Sequence, residues 1–111
     1  METTTQEFKH CDLITVKGRV DSFTASQLGE AFEASHKKGQ FKIVLDMTDL
    51  DYMSSAGFRA LLVAQRTCKR YNRGEVILSA VPKQIMESFE LTGFTPLFKF
   101  FDSNTEAVGS F

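Results

Sequence analysis

Phe41-Lys-Ile-Val-Leu-Asp-Met-Thr-Asp-Leu-Asp-Tyr-Met-Ser-Ser-Ala-Gly-Phe-Arg-Ala-Leu-Leu62 is the stretch on which the reading of this chain turns. The run from Phe41 to Leu45, broken only by Lys42, predicts a strand covered on both faces. A short acidic loop follows, and a helix is expected to open at Ser55. The first turn of a helix leaves backbone N–H groups unpaired, and the positive end of its dipole favours an anion there. Ser55 is therefore placed to carry a phosphate. A serine before a helix is also the ordinary cap, and Ser54 fits that role. One cap uses one hydroxyl, which leaves the other free.

At ~100° per residue, Gly57, Ala60, Leu61, Ala64, Thr67, Cys68 and Tyr71 share one face of this helix, the expected core stripe. Phe58 and Leu62 fall to one side of it, with Gln65 and Lys69. Such residues can sit under a neighbouring helix or stand alone on a surface. Alternatively they form an apolar docking patch beside the serines. Their place one to two turns from Ser55 favours docking, so both are expected to be exposed in the free protein.

Outward from this core the chain alternates. Residues 1–6 read as a polar tail. Glu7–His10 and Leu13–Val20 read as strands around a turn at Cys11-Asp12, the second rich in β-branched residues. A helix is expected from Thr24, a candidate N-cap, to Lys38, closed by Gly39. The Ser55 helix should run to about Asn72. Glu75–Ala80 is a second continuous apolar run and hence another central strand. Pro82 opens a helix to Leu91, Gly93 ends it, Leu97–Phe101 makes a last strand, and Asn104–Val108 one more helical turn. Strands alternating with helices imply an α/β layer. The expected fold is one domain over residues 1–111, a four- to five-stranded mixed sheet with about four helices mainly on one face.

Composition narrows the function classes. Thirteen Lys and Arg against fourteen Asp and Glu leave a net charge of −1, too weak a field to make nucleic acid the main partner. Cys11 and Cys68 form no CxxC pair and no metal-spaced cluster with His10 or His36, and are expected to be small buried apolar residues. No metal or other cofactor is expected. The N-terminal residues carry no apolar signal stretch, and no run approaches the ~20 apolar residues of a membrane span. A cytoplasmic protein is expected.

Several segments together resemble the STAS domain family of anti-sigma factor antagonists. Gly18-Arg19-Val20-Asp21 is similar to the family's Gly-Glu-Ile/Leu-Asp, and Ile43–Asp46 with Leu50–Met53 to the strand and loop before its switch. Ser54-Ser-Ala-Gly57 lies on the family's Asp-Ser-Ser/Thr/Ala-Gly, and Leu91-Thr-Gly-Phe94 matches its C-terminal part. The resemblance runs from about Leu13 to Ala107, and its specificity lies in order and spacing rather than in any one tetrapeptide. It implies a protein that binds an anti-sigma factor doubling as a GHKL-type serine kinase, is released by phosphorylation, and is reset by a PP2C-type phosphatase. Carried over by position, the resemblance implies phosphorylation at Ser55, with Ser54 the second candidate because it stands where the family has Asp. The implied partner-binding residues are Asp21, Ser54, Ser55, Ala56, Gly57, Phe58, Arg59 and Leu62.

Two other functions compete. The same resemblance allows a STAS subunit attached to a transporter or lipid-transport complex. An enzyme with Ser55 as nucleophile would need a base within hydrogen-bond reach. Only His10 and His36 exist, neither in a triad motif, and the chain has no GxSxG elbow and no phosphate-binding glycine loop.

Overall fold

Two parallel strands, β3 (Lys42–Asp46) and β5 (Glu75–Ser79), lie side by side at the centre of the sheet, Ile43 opposite Val76 and Leu45 opposite Leu78. The computed structural model describes residues 1–71 and 73–111. Around the central pair the chain forms β1 (Glu2–Glu7), β2 (Asp12–Val20), α1 (Ala25–Lys37), β4 (Leu50–Met53) and α2 (Ser55–Arg70). After β5 come α3 (Lys83–Thr92), a 3-10 turn (Thr95–Leu97), β6 (Phe100–Phe101) and α4 (Asn104–Gly109). Among the described residues six strands form one mixed sheet, in the order β1-β2-β3-β5-β6 with β4 on the end of β2. Among the described residues only the β1–β2 pair is antiparallel.

The continuous apolar runs of β3 and β5 are explained by burial on both faces. Ile43, Leu45, Val76 and Leu78 meet Leu28, Phe32, Leu61, Cys68, Ile85 and Phe89 in the larger core, under α1, α2 and α3. Val44 and Ile77 point the other way and join Cys11, Leu13 and Ala107 in a smaller core covered by α4. Both cysteines are fully buried and free, one in each core. Three helices on one face and a short one on the other match the expected architecture.

Three boundaries differ. The expected polar tail is strand β1, whose Thr3, Thr4 and Thr5 lie opposite Val16, Thr15 and Ile14. Threonine suits an extended backbone, but this edge strand is exposed on most of its length and has no apolar period to betray it. The turn accordingly spans Phe8 to Cys11, closed by the Phe8 N–H on the Cys11 carbonyl at 2.8 Å. The acidic loop after β3 contains β4, where Leu50 and Met53 are buried while Asp51 and Tyr52 stay exposed. The last strand shrinks to two residues because Pro96 enters a 3-10 turn. Helix α2 closes at Arg70, and its expected end at Asn72 lies outside the described residues.

A buried amide locks α2 to the sheet. The Gln65 side chain donates to the carbonyls of Val76 (3.1 Å) and Leu97 (2.8 Å) and accepts from the Val76 N–H (2.6 Å). It thus supplies partners for the Val76 backbone groups, since β6 pairs with β5 only at Leu78 and Ser79.

Candidate docking and modification site

The ends of β2 and β4 set the start of α2. In the parallel β2–β4 pair, Val20 lies opposite Met53, and the Ser54 N–H donates to the Val20 carbonyl at 2.8 Å. Ser54 is extended (φ −81°, ψ 172°), so its Oγ turns back over the helix and accepts from the Gly57 N–H at 3.4 Å. Ser54 is the cap. Ser55 is the first helical residue, exposed beside the open N–H groups of the first turn. The two serines divide as the sequence implies.

Gly57 permits this seating. A Cβ there would lie 2.7 Å from Met53 Cγ and 2.8 Å from Val20 Cγ1, so only glycine lets the first turn rest on the ends of both strands. Its role is close packing within the fold.

Asp21 follows Val20 directly and so stands beside the serines. Its Oδ1 accepts from the N–H groups of Thr24 (3.0 Å) and Phe23 (2.9 Å), while Thr24 Oγ1 accepts from the Asp21 N–H at 2.9 Å. This reciprocal pair resembles a capping box. Thr24, the expected N-cap, flanks α1 without a side-chain cap bond of its own. The two N–H groups, assisted by the Thr24 hydroxyl and the Arg19 charge, hold the Asp21 carboxyl below the usual carboxylate range. Next to it Phe23 is 88% exposed, and the Arg19 guanidinium lies 4.4 Å over the exposed Tyr52 ring. The sequence reading missed both aromatics, because Phe23 sits in a turn and Tyr52 in a segment taken for a loop.

The expected exposure of the Phe58 and Leu62 pair fails at Phe58 and holds only in part at Leu62. Phe58 is 5% exposed, and its ring packs edge-on against Phe89 and tilted against Phe94. Leu62 is half-buried against the same core. Conversely Tyr71, assigned to the core stripe, is 51% exposed beyond the end of α2. The buried face is Gly57, Phe58, Leu61, Ala64, Gln65 and Cys68, turned toward α3 relative to the expected stripe. The reason is tertiary: Phe89 of α3 and Phe94 just after it supply apolar surface that covers Phe58.

Turning α2 toward α3 leaves its other flank open. Ala56, Arg59, Ala60 and Val63 border a groove of about 740 Å³ between α2 and α1, facing Gly29, Glu30 and Glu33. Val63 is 55% exposed. The exposed side of α2 carries Arg59, Arg66, Lys69 and Arg70, and the helix contains no acidic residue. Arg59 is exposed and Ala56 half-buried, whereas Gly57 and Phe58 are buried.

Cysteine and histidine chemistry lies elsewhere. His36 Nε2 is 3.3 Å from Cys68 Sγ, and its ring stacks on Phe41 at 5.1 Å. Burial pushes the Cys68 thiol up to about 12 and the His36 imidazole down, the latter opposed by the Glu33 charge. A thiol so protonated is inert. The helix rises ~20 Å between Ser55 and Cys68, and His10 lies in the turn at the far end of β2. Among the described residues no metal-binding cluster gathers, and no helix is long and apolar enough to cross a membrane.

The family model for the STAS domain matches residues 2–107. The chain belongs to the STAS domain family. Among sequence relatives of this STAS protein, the Bordetella bronchiseptica protein BtrV, named as an anti-sigma factor antagonist, is 34% identical over 96 residues, 86% of this chain and 82% of that protein. Among solved structures, an anti-sigma factor antagonist of Thermotoga maritima superposes with a TM-score of 0.89 at 16% identity, covering 97% of this chain and 92% of the other. The Bacillus cell fate determinant SpoIIAA in its phosphorylated form has a TM-score of 0.76 at 18% identity, covering 98% of each chain. These likenesses establish the STAS fold, with its mixed sheet and four helices.

Proposed function

We propose that this STAS protein is an anti-sigma factor antagonist working by partner switching. Unphosphorylated, it binds an anti-sigma factor that is also a GHKL-type serine kinase. That kinase transfers the γ-phosphoryl group of ATP to Ser55 Oγ, releasing ADP, and the modified protein dissociates. A PP2C-type phosphatase hydrolyses the ester and restores the binding form in the cytoplasm. The protein itself performs no catalysis.

The observation that carries this reading is the division of the two serines: Ser54 is engaged as the cap, and Ser55 stands exposed at the first helical position. A phosphate there adds about −1.5 to −2 charge. It meets free N–H groups and the positive helix end, so the fold tolerates it. The cost falls on a partner that must desolvate a dianion in order to dock. BtrV's name and SpoIIAA's phosphorylated form support the assignment.

The test is intact-mass measurement after incubation with the cognate kinase and ATP, followed by peptide mapping. One added phosphate on Ser55 is expected. Mapping to Ser54, or no transfer with a kinase that binds the chain, overturns the mechanism.

A further inference from the structure

Ser55 and Arg59 stand about one turn apart on α2, and both are exposed. The helix rises ~6 Å over those four residues, a span that the long arginine stem covers. Side chains on a helix lean toward its N-terminus and lie over the preceding turn. For Arg59 that turn holds Ser55 and Ala56, both small, so no bulky side chain stands in the way.

Arg59 is also uncommitted. Among the described residues no ion pair engages it, although Glu30 and Glu33 line the groove that it borders. The other cation beside the serines is occupied: the Arg19 guanidinium lies 4.4 Å over the Tyr52 ring, and its charge acts on Asp21. The segments around the first turn of α2 otherwise carry carboxylates, Asp21 just after β2, Asp51 on β4, and Glu30 and Glu33 on α1. His36 and Glu75 belong to the other end of the helix, the one beside Cys68 and the other paired with Lys99. A phosphate on Ser55 is repelled by the four nearer carboxylates. It is drawn along α2 itself, which holds no acidic residue. An acidic group four residues before a basic one is the favoured order for a helical ion pair.

We propose that Arg59 is the built-in counter-ion of phosphorylated Ser55, its guanidinium forking onto two phosphate oxygens one turn back. This pairing deepens the switching reading and rests on it. Arginine suits the role because its planar fork takes two oxygens at once and its charge does not titrate. In the unmodified protein Arg59 is open to a partner. Once the phosphate holds it, one modification withdraws both the bare hydroxyl and the free guanidinium from the same face. The two states of the switch then differ at two surface positions, with the fold unchanged.

Phosphoserine incorporated at position 55 during translation gives the modified chain without any kinase. Phosphorus NMR then follows the second ionisation of the phosphate in wild type and in Arg59→Gln, Arg59→Lys and Arg66→Gln backgrounds. The first-turn N–H groups and the four carboxylates are common to all, so differences report the cations. Arg59→Gln is expected to raise the second pKa by about half a unit or more, roughly a threefold change in the ionisation constant. Arg59→Lys, which keeps the charge but loses the fork, is expected to raise it less. Arg66 lies ~16 Å along the helix from Ser55, beyond the ~8 Å screening length at physiological salt, so Arg66→Gln is expected to leave the pKa unchanged. Equal values in wild type and Arg59→Gln, or an equal shift from Arg66→Gln, overturn the pairing and leave the switching reading in place. A cognate kinase that places its phosphate on a residue other than Ser55 overturns both.

Discussion

The rings of Phe58 and Phe89 meet edge to face, centroids 4.8 Å apart and planes at 83°, joining α2 to α3 above the sheet. Phe89 makes two further edge contacts, to Phe98 and Phe100, so Phe58 is one member of an aromatic cluster. Phe58→Ala should therefore cost about 3–5 kcal/mol of stability through lost burial and an unfilled cavity. Urea unfolding followed by circular dichroism measures this directly. A change under 1 kcal/mol would show that Phe58 is not a core residue.

The two serines should respond differently to alanine. Ser54→Ala removes the oxygen that accepts from the Gly57 N–H and should cost about 0.5–1 kcal/mol. Ser55→Ala should leave the melting temperature nearly unchanged yet abolish phosphate incorporation. Thermal melts paired with intact-mass measurement separate the two.

A negative charge at Ser55 should be tolerated. Ser55→Asp puts a carboxylate at the first turn of α2, where anions stabilise by about 0.3–1 kcal/mol. Its melting temperature should equal or slightly exceed that of wild type, while affinity for the anti-sigma factor falls. An unfolded Ser55→Asp protein would contradict release by charge alone.

Gly57→Ala should destabilise by about 1–3 kcal/mol, the usual cost of overpacking. The added methyl must displace Met53 Cγ and Val20 Cγ1 from under 3 Å. The effect should appear in the melting curve and should be partly relieved by Val20→Ala, which vacates one of the two contacts.

Acid should loosen the attachment of α4. Asp46 is mostly buried, and burial pushes its carboxyl up. Hydrogen bonds from the Thr48 hydroxyl, the Asn104 amide, the Thr48 N–H and the Thr15 hydroxyl outweigh that and leave it below its ordinary value of 3.8. A depressed carboxylate contributes stability that is fully present above its unfolded pKa and lost as pH falls through the lower folded one. Unfolding free energy should thus drop below about pH 4, and Asp46→Asn should flatten that drop while lowering stability at pH 7. A wild-type curve no steeper than that of the variant would refute the assignment.

Burial patterns on strands were legible because a strand covered on both faces has to be apolar throughout, as β3 and β5 are. The cap and the free serine were legible for a similar reason, since capping is a local property of backbone and one side chain. What stayed hidden depended on neighbours distant in sequence. The angle at which α2 meets the sheet is set by Phe89 and Phe94, over thirty positions away, so Phe58 passed for a surface residue. Edge strand β1 stayed hidden because exposed threonines carry no apolar period. The groove beside α1 was missed because alanine and glycine at helical spacing look like a packed stripe, and only the structure says that the stripe is uncovered.

Cys11 lies in the core under α4 and Cys68 in the core under α1, α2 and α3, both fully buried, so the sheet separates two native thiols that need no engineering. Each is reactive only while its own layer is open. A labelling time course with a mass tag therefore reports on the two sides of the sheet independently. Doubly tagged molecules appearing without singly tagged ones mean that both layers come apart in a single event. A population tagged first at Cys11 means that the α4 side breathes alone, and the ratio of the two labelling rates gives the free-energy gap between those openings.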